Sequence, residues 1–331
     1  MTFEELAKKA PEIRDRINRF RTHLATRYVA REEVINVMTV CAIAQEPLLL
    51  VGLPGTAKSE LVTSFRDMLG VPSEDYFEYM LTRFTEPSEV LGPIDIQELR
   101  EGKYLRRVKG KLPTAKIAFL DEIFKSNSAI LNSLLTLINE RKFYQDGVST
   151  TIPLKILFAA ANEIPSQEEL SAIRDRFCFK VLTHPVPDDR FLELIDLGLK
   201  SQLQRETQVS LGGDGLATFQ DFIDAHDYLT LQMLQTKTSP KGKVENDRHI
   251  FFPEKTMTQL QSLLQTLQRE EGIFVSDRKK IKLYKLLRVY SWLFHGGRVE
   301  SEDLRLLMYL GDTIEDLTNL ETKIPRLLGS V

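Results

Sequence analysis

A parallel α/β domain followed by an all-helical domain is the fold class the sequence predicts, and three observations carry it. Short continuous apolar runs recur through the first half of the chain, segments of helical period separate them, and strand signals stop after Pro187. A short apolar run suits a strand buried on both faces of a parallel sheet. Strands alternating with helices are the pattern of that sheet class.

The elements follow in order. Apolar residues recur at helical spacing from Leu6 to Leu24 and from Glu33 to Ala44, where Val34, Val37, Met38, Cys41 and Ala42 share a face. PLLLV, residues 47 to 51, is the first strand expected, and KIAFL (116 to 120), LKILFAA (154 to 160) and FCFKVL (177 to 182) are the next. Glu60 to Leu69 and Ala129 to Glu140 read as helices, the second behind the capping candidates Ser126 to Ser128. IDIQELREGKYLRRVKG (94 to 110) and RKFYQDGVSTTIP (141 to 153) read as hairpins, turning at Glu101-Gly102 and at Asp146-Gly147. Beyond Pro187, helices are expected over 190 to 206, 216 to 236, 254 to 270, 277 to 295 and 301 to 310, with the polar stretch 236 to 249 as a surface loop. The two prolines of HPVPDD, 184 to 189, mark the boundary. The expected organisation is a helix over 1–26, an α/β domain over 27–186 and a helical domain over 187–331.

A chain of 331 residues with 42% hydrophobic content supplies material for about two domains. Its 27% charged residues leave a net charge of −3, so no global basic field draws it to nucleic acid or anionic lipid. The N-terminal segment lacks the apolar core of a secretion signal, and no apolar run approaches the length of a bilayer span, so a cytoplasmic protein without membrane insertion is expected. Cys41 and Cys178 sit in apolar contexts without metal-ligand spacing and are expected as buried thiols.

The chemistry is concentrated at the first strand's end. Gly52, Leu53, Pro54, Gly55, Thr56, Ala57, Lys58, Ser59 and Glu60 follow the phosphate-loop pattern G-x-x-x-x-G-K-[ST] except at position 57, where alanine replaces glycine. In such a loop the backbone N–H groups and a helix N-terminus face phosphates, the lysine reaches the terminal ones, and the hydroxyl holds magnesium. Alanine does not cheaply take a left-handed conformation. Ordinary helical dihedrals are therefore expected at Ala57, with the N–H groups of Gly55 to Ser59 lining one concavity; a left-handed Ala57 would count against a competent site. About sixty residues on, Asp121 and Glu122 follow the apolar run IAFL, Asp121 suited to the magnesium shell and Glu122 to activating a water.

GLPGTAKS, FLDEI and AAANE, with the two insertions between them, resemble the MoxR family of AAA+ ATPases; MLTRFTEPSEVLGP, ILNSLLTLINER and VSDRK make the RavA-type branch the nearest pattern. The resemblance covers roughly Arg27 to Leu310. It implies a P-loop NTPase sheet of order 5-1-4-3-2, hairpins inserted in helix 2 and before sensor 1, and an all-α lid. It also implies ATP with Mg2+ and a homo-oligomeric, hexameric ring. By position, Asn162 matches sensor 1, Arg278 sensor 2, and Tyr28 and Val29 flank the adenine. RDRF offers Arg174 and Arg176 as the finger arginine, which the family's DRF places at Arg176. The implied function is an ATP-driven protein-remodelling chaperone whose separate partner carries a von Willebrand factor A domain, or another protein client. Two other readings stand beside it. The basic cluster Lys103, Arg106, Arg107, Lys109 and Lys111 fits a nucleic-acid-stimulated motor, which the charge balance disfavours, and a nucleotide-gated scaffold would bind ATP without turnover.

Overall fold

The apolar runs fold as the sheet class requires. In a computed structural model that describes residues 2–206, 215–234, 236–238, 244–246 and 248–329, contacts divide the chain into a unit of residues 45–185 and a unit made of residues 1–44 with 186–331. The N-terminal helices α1 (Phe3–Ala25) and α2 (Glu32–Ala44) thus group with the C-terminal helices.

The 45–185 unit holds a five-stranded parallel sheet. Its strands are β1 (Leu48–Val51), β2 (Tyr76–Met80), β3 (Ile117–Asp121), β6 (Ile156–Ala161) and β7 (Phe179–Leu182). The spatial order is β2-β3-β6-β1-β7, which is 5-1-4-3-2 read from the other edge when the sheet's strands are counted along the chain. Every residue of β1 and β6 is buried, as continuous apolar runs demand. The edge strand β2, YFEYM, buries only Phe77 and carries no apolar run, which is why its sequence gives no strand signal. Helix α3 (Lys58–Met68) lies on β3 and β6, where Phe65 meets Phe158 edge to face at 5.3 Å.

Of the two expected hairpins, one forms. Strands β4 (Lys142–Gln145) and β5 (Val148–Thr151) pair antiparallel around Asp146 and Gly147, both at positive φ. The stretch 94 to 110 is instead a short helix, preceded by α4 (Pro87–Leu91): α5 (Ile96–Arg100) is capped by Asp95, and the only strand-like pairing there is a single antiparallel bridge between Ile94 and Arg106. The side chain of Asp95 accepts the Gln97 N–H, so the residues expected to extend turn into a helix. Helix α6 (Ser128–Glu140) starts where expected, with Asn127 as its cap, and α7 (Ser171–Arg176) precedes β7.

The other unit is helical: α8 (Phe191–Glu206), α9 (Phe219–Leu234), a ribbon of β8 (Thr236–Thr238) and β9 (Val244–Asn246), α10 (Arg248–Phe251), α11 (Glu254–Glu270), α12 (Asp277–His295), a 3-10 segment (Ser301–Leu310) and α13 (Ile314–Gly329). The ribbon stands where a loop was expected over 236 to 249, and α13 adds a helix that was not. Helices α1 and α9 pack through Phe20 and Phe222 and through the Arg16–Asp221 ion pair. Both cysteines are buried. Among the described residues no helix is long and apolar enough to cross a membrane.

Candidate active site

Parallel strands present their C-terminal ends along one edge of a sheet, and ligands bind there. That edge collects the polar residues the motifs single out. The loop after β1 starts at Gly52, whose N–H donates to Ala161 O at 3.1 Å. A Cβ on Gly52 would lie 2.2 Å from Thr183 Oγ1 and 2.5 Å from its carbonyl oxygen, so only glycine fits. Thr183, just past β7, has no motif signal, yet its hydroxyl meets Thr56 Oγ1 at 2.9 Å and donates to Val51 O at 3.1 Å. It braces the loop from beneath.

Ala57 is left-handed, at φ 62° and ψ 22°. This overturns the expectation of helical dihedrals there. The chain must turn from a loop pinned at Gly52 into α3, and position 57 makes that turn in the conformation that glycine takes at no steric cost. Alanine holds it at about 1–2 kcal/mol, a strain that functional loops retain when their surroundings over-determine the backbone. By the criterion given with that expectation, a left-handed Ala57 counts against a competent site. With Gly55 also at positive φ (83°), the loop turns as anion-binding nests do and still delivers Lys58 and Ser59 to the downstream motifs.

Lys58 Nζ donates to Gly52 O at 2.7 Å, to Leu53 O at 3.1 Å and to Asn162 Oδ1 at 3.2 Å. Burial pushes its ammonium below the ordinary lysine range, opposed by Asp121 and Glu122. Ser59 Oγ donates to Asp121 Oδ2 at 3.3 Å, and the other Asp121 oxygen accepts the Glu122 N–H at 2.9 Å. Glu122 is itself left-handed (φ 53°) and buried. Its Oε1 accepts from Asn162 Nδ2 and lies 2.9 Å from Lys125 Nζ. Five expected residues, Lys58, Ser59, Asp121, Glu122 and Asn162, therefore form one connected network. Lys125, three residues after Glu122 on a 3-10 turn, was missed; the i,i+3 spacing of DEIFK was its signal.

Glu60 is the third residue of α3. Arg174 donates to Pro165 O and to Gln167 O, clasping its own loop, while Arg176 is mostly buried beside Asp175 at 3.4 Å. Tyr28 and Val29 occupy the turn between α1 and α2, with Val29 buried, and Arg278 is exposed in the first turn of α12; all three belong to the helical unit.

The residues present fit magnesium and a nucleotide phosphate chain. Ser59 and Asp121 supply a hydroxyl and a carboxylate in contact, the oxygen donors this ion takes, and the Lys58 ammonium, bonded to Asn162, supplies a cation at the same strand edge.

Comparison with known proteins agrees with this geometry. Residues 15–221 match the family model described as the MoxR domain in the MoxR-vWA-beta-propeller ternary systems, and residues 254–324 match an AAA lid domain. An uncharacterised protein of Methanocaldococcus jannaschii is 31% identical over 309 residues, 92% of this chain and 73% of that protein. The chaperone MoxR1 of Mycobacterium tuberculosis is 24% identical over 166 residues, 49% of this chain and 42% of its own. The crystal structure of a candidate ATPase from Cytophaga hutchinsonii superposes with a TM-score of 0.66 at 15% identity, covering 99% of this chain and 96% of that one, a likeness of fold. With the sheet order, the loop and the family match in agreement, the chain belongs to the MoxR family of AAA+ ATPases.

Proposed function

We propose that this protein hydrolyses ATP as a cytoplasmic hexameric ring and uses the cycle to remodel a protein bound with a separate von Willebrand factor A domain partner. The observation that carries the reading is the network of Lys58, Ser59, Asp121, Glu122 and Asn162, assembled from three strand ends separated by up to 104 residues of sequence. Lys58 draws the terminal phosphates by charge, in a site where desolvation strengthens the attraction. Glu122 holds and activates the attacking water, and Asn162, bonded to both Lys58 and Glu122, fixes the distance between phosphate binder and base. Magnesium held by Ser59 and Asp121 would neutralise charge on the transferring phosphoryl group. Arg176, with Arg174 committed to its own loop, is the finger offered to the neighbouring subunit, and Arg278 the lid's contribution. Tyr28 and Val29 would flank the adenine. The partner assignment draws on the ternary systems for which the matched family model is named.

The nucleic-acid motor loses support at the basic cluster. Lys103 pairs with Glu98 and Glu101, Arg107 with Asp95, and Arg106 and Lys111 donate to the carbonyls of Gly92 and Glu89. Lys103 and Arg107, paired with carboxylates, offer less to a phosphate backbone, while Arg106 and Lys111 keep their charge on neutral carbonyls.

Phosphate release from ATP by the purified chain is the test. Lys58→Ala should abolish nucleotide binding, and Glu122→Gln should keep binding while lowering turnover by about 10²- to 10⁴-fold, the span of a general base. ATP bound by the wild type without turnover, even in the presence of a von Willebrand A domain protein, would leave a scaffold instead.

A further inference from the structure

Lysine is a costly residue at position 279. Helix α12 buries Leu283, Leu286, Leu287 and Tyr290, and Lys279, four residues before Leu283, continues that stripe into the first turn at 2% exposure. Two penalties meet there. An ammonium in the core is desolvated, and one near a helix N-terminus faces the positive end of the dipole. A leucine or methionine would incur neither. What Lys279 gains is a bond to a distant segment: its Nζ donates to Asp312 Oδ1 at 3.0 Å, across 33 residues of sequence. Asp312 is a fixed anchor. Its N–H and that of Thr313 donate to Asp316 Oδ2 at 3.0 and 2.9 Å, and a Cβ on Gly311 would lie 2.8 Å from the Leu317 nitrogen, so the turn into α13 has no slack. The lead into α12 is tied to α13 as well, where Lys323 pairs with Glu270 at 2.7 Å and with Glu271.

We propose that the Lys279–Asp312 pair positions Arg278: it gives up stability in the first turn of α12 to hold that turn, and the arginine on it, at one angle against the entry to α13. The proposal rests on the reading of Arg278 as the lid's contribution to ATP hydrolysis. Arg278 directly precedes Lys279 and is exposed in the same turn. Successive residues of an α-helix lie about 100° apart around its axis. Tying position 279 inward therefore fixes the direction in which position 278 leaves the helix. A buried ion pair often contributes less to stability than well-packed apolar groups of the same volume, yet its bond to a rigid acceptor selects one arrangement where an apolar contact would let the turn slide. Lys279 is a positioning residue, since it acts through Arg278.

Lys279→Met tests this, because it continues the apolar stripe and leaves behind an Asp312 that is 39% exposed and stays solvated. The urea unfolding midpoint of this variant should be no lower than that of the wild type, while ATP turnover by the full chain should fall about tenfold, within the roughly 10²-fold that a displaced group can cost. Arg278→Ala should lower turnover at least as far. Adding Lys279→Met to Arg278→Ala should then change turnover by less than about twofold, since no arginine is left to position. A purely structural tie would behave otherwise: a lowered midpoint in Lys279→Met, or an equal loss of turnover with and without Arg278, would overturn the proposal. So would full turnover in Lys279→Met. If the wild type releases no phosphate from ATP, or Arg278→Ala turns over at the wild-type rate, the reading of Arg278 falls and the positioning role with it; multiplied losses in the double variant of an active wild type strike the positioning role alone.

Discussion

The edge around Lys58 and the insertion around Lys103 use the same residue types to opposite ends. Lys103 finds its carboxylates two and five residues away, Arg107 finds Asp95 twelve residues away, and these groups are largely exposed. Lys58 reaches Asn162 across 104 residues, Ser59 reaches Asp121 across 62, and Asn162 reaches Glu122 across 40. A local pair is satisfied by a segment on its own and costs the fold nothing. A pair drawn from three strand ends forms only when the whole sheet forms, and it gathers charges that must then be partly desolvated. Between these two regions, sequence distance between partners tells the solvated face from the strand-end network more sharply than charge density does.

The largest test of this contrast lies at a residue between the two classes. Arg176 is mostly buried and sits beside its immediate neighbour Asp175, as a merely structural arginine would. If it nonetheless serves a neighbouring subunit, Arg176→Ala should leave ATP affinity within about twofold and lower turnover by about 10³- to 10⁵-fold, as removal of a finger arginine does. Unchanged hydrolysis would return Arg176 to the class of local pairs. Arg174→Ala supplies the control, because its clasp on Pro165 and Gln167 predicts lost loop order and a lower Tm.

The same distinction explains what the sequence made legible. Strands buried on both faces announce themselves as apolar runs, so β1, β3, β6 and β7 and the residues after them were readable. Edge strand β2 was not, because its half-exposed tyrosines and exposed glutamate carry no run, nor was α5, where one aspartate cap outweighed a turn-like Glu-Gly pair. Lys58, Ser59, Asp121, Glu122 and Asn162 were found from motifs, and the structure brings them together. Thr183 and Lys125 were not, since the first acts by filling space under Gly52 and the second by a contact only three residues long. Ala57 failed for a different reason. Local propensity favoured helix, and the path between two pinned segments prevailed.

A smaller effect is expected where the insertion meets the hairpin. The Tyr104 N–H donates to Asp146 Oδ1 and the Arg106 N–H to Gln145 Oε1, each at 3.1 Å, so the segment after α5 is tied to the β4–β5 turn by two long-range bonds within an otherwise local region. Asp146→Ala should speed hydrogen exchange at the Tyr104 amide by about threefold to tenfold, the loss of one hydrogen bond worth about 1 kcal/mol. Asp146→Asn, which keeps the acceptor, should not. Equal exchange in both variants would show that the two insertions move independently.

The smallest effect tests the site's own strain. Ala57→Gly relieves a left-handed alanine of about 1–2 kcal/mol, while the added freedom of glycine in the unfolded chain takes back about 0.5–1 kcal/mol. The net should be a gain in unfolding free energy of up to about 1.5 kcal/mol, read from urea denaturation of the nucleotide-free chain, with the slope of the transition unchanged. ATP affinity should stay within about threefold, because Lys58 and Ser59 already occupy their places in the wild type. A loss of stability would mean that Ala57 is not left-handed in solution and that the helical conformation expected from its propensity is the correct one. Loosened ATP binding alongside raised stability would point elsewhere: the alanine would then be holding the loop rigid for phosphate, and its strain would belong to the site's function.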